Sequence, residues 1–260
     1  MNWFRSFAIA FSMYSALPMP RVEWDEKGMR HALCWFPLVG VPAALALWGW
    51  YRLCVFLDLG RFLTAVGLTL LPLAVTGGIH LDGFCDAADA LASRQPREKK
   101  LEIMKDPRTG AFGVMAVCGC LLLACAAWDS FLRFGGERDL WAVSAGLVLS
   151  RALSGLGVAV LPPAKESGLI RTFAAAADKR LVAVIDGLLA LLAAGGMLAL
   201  APVPGLLGLL GASLALLKYS LVCREMGGTT GDLAGYFLVL CELAVLLGVT
   251  LGLALLEVFP

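Results

Sequence analysis

Charge is what this 260-residue chain has least of: Asp, Glu, Lys and Arg make up 16% of it, against 60% hydrophobic residues and a mean hydropathy of +0.82. A soluble domain needs about a quarter of its residues charged to cover its surface, so so sparse a supply excludes one and points to an integral membrane protein. Net charge is only +1, which leaves no global field to attract a nucleic acid, and no nucleic-acid partner is expected. The eight cysteines include no CxxC pair, so zinc or redox-couple chemistry is not indicated; runs such as "VCGCLLLAC" read as small apolar packing residues. No repeat at a solenoid period and no low-complexity segment interrupts the chain, which is expected to form a single membrane domain over residues 1–260.

What is plentiful is apolar sequence of spanning length. Runs at 33–57, 62–79, 111–132, 140–161, 181–201, 205–222 and 235–257 each approach the ~20 residues that a bilayer core requires. The expected fold class is therefore all-α, a polytopic integral membrane helix bundle of about seven transmembrane helices. An eighth follows if "WFRSFAIAFSMYSALPMP" begins the bundle instead of lying in the interface. Positive charge is unevenly shared between the connections. Arg21, Lys27, Arg30, Arg94, Arg97, Lys99, Lys100, Lys105, Arg108, Lys165, Arg171, Lys179, Arg180, Lys218 and Arg224 fall toward one face, Arg52, Arg61, Arg133 and Arg138 toward the other. The positive-inside rule then puts the long, glycine-rich loops at 20–32, 77–110, 162–180 and 223–234 in the cytoplasm, and chemistry is to be sought there.

The loop at 77–110 opens "GGIHLDGFCDAADAL". Written as a helix, Asp82, Asp86 and Asp89 stand at i, i+4 and i+7, within about 60° of one another on the helical wheel. Three like charges on one stripe repel, the more so near a membrane, and a hard divalent cation compensates them: Mg2+ takes one or two carboxylates and keeps other positions for water and phosphate oxygens. Asp82, Asp86 and Asp89 are thus the candidate metal ligands. A solvated helix start accounts for a first-turn aspartate but not for the later two. His80 lies about 200° from Asp82 and joins the cluster only if the helix begins after "GGIH", a break that Gly77 and Gly78 permit. It then acts as general base or substrate contact, and otherwise is simply a hydrogen-bonded histidine.

The second block, "KKLEIMKDPRTGAFG", mixes Glu102 and Asp106 with Lys105 and Arg108 ahead of a glycine-permissive turn, a combination that suits a polyphosphate as well as it suits an anchored surface helix. The third, "CREMGGTTGDLAGY", ends on Asp232 at the start of a helix, where it is either an N-cap or a ligand contact. Arg151 and Glu242 fall inside apolar runs. An unpaired charge there is costly, so they face the bundle interior, paired with each other or touching ligand.

Together these blocks resemble the cobalamin synthase family, the adenosylcobinamide-GDP ribazoletransferases. The pair "HLDG…D..D" and "KD.R.GAFG" carries most of the likeness, with "GGTTGDLAG" followed by Glu242, "LPMP", "FPLVG", "SR" at 150–151 and "AKESGL" at 164–169 in the same order. The resemblance implies a Mg2+-dependent transferase of cobalamin biosynthesis in the bacterial inner membrane. Its substrates are adenosylcobinamide-GDP and alpha-ribazole or its 5'-phosphate, with GMP released. It further implies roles for Asp82, Asp106 or His80 in the chemistry, and for Lys105, Arg108, Arg151, Asp232 and Glu242 in binding substrate. The lipid bilayer is an expected partner, and a homo-oligomer is compatible with the reading. Pro107, where the family usually has serine, removes a hydroxyl and a backbone N–H from that position. Two alternatives remain beside it. A CDP-alcohol phosphotransferase also lays aspartates on a membrane helix, though its acidic spacing differs, and a transporter would explain buried Arg151 and Glu242, though no inverted repeat is visible.

Overall fold

The computed structural model describes residues 2–164 and 169–259. Among them every extended element is helical, and six helical runs are long and apolar enough to cross a bilayer, seven if one bent pair counts as a single span. The protein is a polytopic helical membrane protein, as the apolar runs predict.

Helix α1 (Asn2–Tyr14) has 13 residues, about 20 Å at 1.5 Å per residue, which is short of a bilayer core. It packs against α2 (Glu26–Met29) and α3 (Ala32–Trp35) and leaves Trp3 and Phe4 exposed. Ser6 donates to the Gly28 carbonyl at 2.6 Å, and the Arg5 guanidinium lies 3.3 Å from Asp25. It therefore does not add an eighth span. The first span is also not one helix. Pro37 has no N–H to continue α3, and the chain tightens into a 3-10 turn, Phe36–Val39, before α4 (Gly40–Phe56).

The decisive bend comes next. Helix α5 (Arg61–Thr76) and α6 (Ile79–Ala92) meet at 97° across Gly77 and Gly78, whose φ values of +65° and +76° are left-handed and open mainly to glycine. Without that pair α5 would run straight on; with it, α6 crosses the end of the bundle. A short helix α7 (Arg97–Ile103) precedes α8 (Ala111–Phe134), which returns through the bundle to α9 (Glu137–Val160). Helix α10 (Leu169–Ala176) leads into α11 (Lys179–Leu200), α12 (Pro202–Met226) and α13 (Gly231–Val258).

Helix α13 occupies the centre, packed against α12, α6, α9 and α8, while α9 also carries α11 and α4. Small residues set the spacing: a Cβ on Gly211 or Gly248 would collide with backbone of the facing helix, so α12 and α13 approach backbone to backbone. The outward faces of α8, α11 and α12 expose Leu122, Leu123, Leu191, Leu192 and Leu206, the surface that lipid covers. At the end opposite α6 the connections are tight. Arg61 meets Asp129 at 2.7 Å, Arg52 meets Glu137 at 3.1 Å, and Trp48 donates to Glu137 at 2.7 Å.

Candidate active site

Helix α6 begins at Ile79, ahead of His80, so the condition for His80 to join the aspartates is not met. The imidazole points away from the stripe and is 8% exposed, 5.7 Å from the Phe36 ring and 6.0 Å from that of Tyr14, centroid to centroid. Its Nε2 has no hydrogen-bond partner. Asp82 is exposed, Asp86 and Asp89 half-buried. Along a helix axis Asp82 and Asp86 are about 6 Å apart and Asp82 and Asp89 about 10.5 Å, so the stripe is a line of carboxylates and not a closed cage. Accordingly, among the described residues no group of three or more His, Cys, Asp or Glu gathers closely enough to hold a metal ion by itself.

Two helix starts abut this line. Oδ1 of Asp89 accepts the Gly113 N–H of α8 at 3.2 Å, and the space where a Cβ on Gly110 would lie is filled by the Asp89 carboxylate. Both glycines of "GAFG" thus exist to let α8 begin against α6. On the other side a Cβ on Gly83 would come within 2.9 Å of the Asp232 Cα, and one on Gly235 within 2.9 Å of the His80 carbonyl. The start of α13 is fixed by Thr230, whose hydroxyl accepts the Leu233 N–H at 3.1 Å. Both helix starts put the partial positive charge of a helix dipole beside the carboxylates.

The "GGTT" turn ties the remaining loops to this place. Gly227 and Gly228 have φ of +71° and +149°, conformations that side chains rarely adopt. Arg97 of α7 donates through Nε to the Met226 carbonyl at 2.8 Å, and buried Lys100 pairs with Glu225. Tyr219 and Thr229 share a 2.6 Å hydroxyl contact. Thr229 also forms a two-bond bridge with the segment after α9: its N–H donates to the Pro162 carbonyl and its carbonyl accepts the Ala164 N–H. Of "AKESGL", residues 165–168 lie outside the described residues.

Between α7 and α8, Asp106 accepts from Arg108 Nε at 3.0 Å, Nη2 at 2.8 Å and the Arg108 backbone N–H at 3.0 Å. These bonds hold the Asp106 carboxyl down to about 2. A carboxylate so stabilised is a weak proton acceptor, which counts against Asp106 as general base while Arg108 holds it. Arg108 itself is 87% exposed in its side chain and Lys105 is exposed, so both cations are open to solvent.

Arg151 and Glu242 are partners. Nη1 of Arg151 donates to Glu242 Oε1 at 2.6 Å and to the Leu147 carbonyl at 2.7 Å, and Ser150 adds a 3.1 Å bond to the same carboxylate oxygen. Arg151 is 1% exposed. Of the two expectations for these charges, mutual pairing is the arrangement adopted. One buried group escaped the sequence reading altogether. Asp186 of α11 is fully buried against Gly155 of α9, with neither carboxylate oxygen hydrogen-bonded among the described residues. A charge inside "LVAVIDGLLALLAAGG" was the available signal.

A helical membrane protein with a line of carboxylates, two helix starts and exposed cations at one end of the bundle has the parts that a diphosphate-handling membrane enzyme needs. The chain belongs to the cobalamin-5-phosphate synthase family, whose sequence model matches residues 6–250. It is 41% identical over 253 residues to the adenosylcobinamide-GDP ribazoletransferase of Lachnoclostridium phytofermentans, covering 97% of this chain and 95% of that protein. The enzyme of the same name from Roseiflexus sp. (strain RS-1) is 34% identical over 260 residues, covering 94% and 88%. That from Clostridium botulinum (strain Alaska E43 / Type E3) is 30% identical over 248 residues, covering 93% and 95%. No solved structure matches the chain. Neither the CDP-alcohol phosphotransferase nor the transporter alternative is supported by these matches.

Proposed function

We infer that this chain joins alpha-ribazole, or its 5'-phosphate, to adenosylcobinamide-GDP with release of GMP, a reading supported by the name of its relatives, adenosylcobinamide-GDP ribazoletransferase. A ribose hydroxyl attacks the phosphorus on the cobinamide side of the diphosphate; the new P–O bond forms as the bond to GMP breaks, and the hydroxyl proton must leave. The observation that carries the assignment to this place is the convergence of three separated motifs: the α6 aspartates, the Gly110–Gly113 start of α8 and the Thr230–Asp232 start of α13.

Mg2+ is the cofactor we propose. Carboxylate oxygens are its preferred protein ligands, and a line of carboxylates beside N–H donors fits an ion that takes one or two of them and shares the rest of its shell with water and phosphate. Asp82, Asp86 and Asp89 are the residues that would hold it, Asp89 also accepting the Gly113 N–H. Bound there, the ion supplies charge neutralisation at the diphosphate. Lys105 and Arg108 draw the non-bridging oxygens toward the stripe, Arg108 with the guanidinium N–H groups that its fork on Asp106 leaves over. Asp232 starts α13 with its backbone against Gly83 of the aspartate helix, which supports a substrate contact there. The hydroxyl proton goes to a carboxylate of the α6 stripe in preference to Asp106, which its own arginine holds ionised and weakly basic. Loop charge favours a cytoplasmic active face in the inner membrane, where nucleotide substrates are found.

Purified protein in detergent, given both substrates and Mg2+, is expected to release GMP only when alpha-ribazole or its phosphate is present. Release of GMP without ribazole, or no corrinoid product from intact substrates, contradicts the assignment.

A further inference from the structure

Two charges that the resemblance assigns to substrate lie instead inside the bundle, holding each other. Glu242 sits ten residues beyond Asp232 on α13, about 15 Å deeper along the helix. Its partner Arg151 belongs to α9, and the pair therefore clamps those two helices together well below the acidic stripe. Val245 of α13 also fills the notch left by Gly146 of α9, and Ser154 lies 3.5 Å from the Ala234 carbonyl, but among the described residues Arg151–Glu242 is the charged contact between the two helices. Glu242 borders an apolar cavity of about 90 Å3 beneath α6, walled by Leu81, Trp128, Val143, Leu246 and their neighbours. Aliphatic walls around a void tolerate sliding, whereas a doubly anchored carboxylate does not.

We propose that the Arg151–Glu242 pair is a positioning device: it sets the register of α13 on α9, and so the seat of Asp232 and Thr230 against the aspartate helix. The mechanical link is on hand. Gly83 of α6 lies under the Asp232 backbone and Gly235 of α13 under the His80 carbonyl, both too close to admit a Cβ. A one-residue slip of α13 would turn it by about 100° and carry Asp232 off the site. The pair is also poorly built for stability alone, since Arg151 Nε is buried without a partner among the described residues. Isosteric apolar residues often replace such pairs without loss of stability, and fixing register is the best-attested use of buried polar groups.

The experiment compares wild type with Arg151→Met/Glu242→Leu and with the conservative Arg151→Lys, in detergent. Three readouts are taken: thermal midpoint, deuterium uptake by peptides covering 79–84 and 231–236, and kcat and KM for each substrate. The double variant is expected to melt at or above wild type. Uptake should rise in both segments, and kcat should fall about 10- to 100-fold, the usual cost of misplacing a reacting group by an ångström, with KM within twofold. Arg151→Lys should restore protection and most of kcat, and it is read alone if the double variant does not fold. A raised KM with kcat unchanged makes the pair a substrate contact and overturns the proposal; unchanged uptake also overturns it. The kinetic arm rests on the proposed transferase activity, but the exchange arm does not. A wild type without activity removes the functional assignment and leaves the exchange result to decide the positioning role.

Discussion

Substituting Gly83 by alanine tests whether the aspartate helix and the start of α13 act as one site. The added Cβ would stand 2.9 Å from the Asp232 Cα and 3.2 Å from its carbonyl oxygen. These are backbone atoms of a capped helix turn and cannot rotate aside. Ordinary contact begins near 3.4 Å, so the two helices must separate by at least half an ångström. Overpacking of this kind costs about 1–3 kcal/mol of stability. The catalytic penalty is larger in proportion: a displacement approaching 1 Å between groups that act together lowers turnover about 100-fold. Gly83→Ala should therefore yield a folded protein whose thermal midpoint drops by a few degrees and whose kcat drops by one to two orders of magnitude. Gly187→Ala, in open space on α11, is the control and should change neither. Turnover by Gly83→Ala above half the wild-type value, with unaltered melting, would refute the close apposition on which the site is built.

Further expectations follow from the same contacts. Asp82→Asn and Asp86→Asn should each lower turnover at least 100-fold while leaving the circular dichroism and melting unchanged, since neither carboxylate is part of the sealed core. Removing divalent cations with a chelator should abolish product, and Mg2+ should restore it; full activity in chelator would exclude the cofactor. Because Arg108 lowers the Asp106 carboxyl to about 2, that interaction is intact above the ordinary carboxylate range and is lost only as pH falls through about 2. The acid limb of a kcat/KM profile at pH 4 to 8 should then be the same in Asp106→Asn as in wild type, and a limb that disappears in that variant would make Asp106 the base after all. Asp186→Leu, which replaces a buried carboxyl that has no hydrogen-bond partner among the described residues by an apolar side chain of similar shape, should raise the thermal midpoint; a fall would mean that Asp186 has a partner.

The spans were legible because a bilayer imposes one length on every apolar run, and the helices α8, α9, α11, α12 and α13 fall on the expected segments. The interruptions were less so. Pro37 and the Gly77–Gly78 pair mark breaks, but a 97° bend follows only when both glycines turn left-handed, a choice that packing against α13 makes. Helical spacing placed the three aspartates on one stripe correctly and left open whether His80 belonged with them; the start of α6 at Ile79 turns His80 inward. Pairing across the fold was beyond periodicity. Nothing in "REKKLE" distinguishes Lys100, buried on Glu225, from the exposed Lys99 beside it. Arg151 and Glu242 were visible as costly charges, yet their mutual bond depends on how α9 and α13 are rotated.

The central claim is ribazole transfer at the α6 carboxylates, and its most direct measurement is a stoichiometric turnover in liposomes. Adenosylcobinamide-GDP, alpha-ribazole and Mg2+ are supplied to wild type and to Asp82→Asn/Asp86→Asn, and corrinoid product and guanine nucleotide are separated chromatographically. The account predicts one GMP for each joined corrinoid from wild type and none above background from the folded double variant. Product formed by that variant at the wild-type rate, or GDP in place of GMP from wild type, would contradict it.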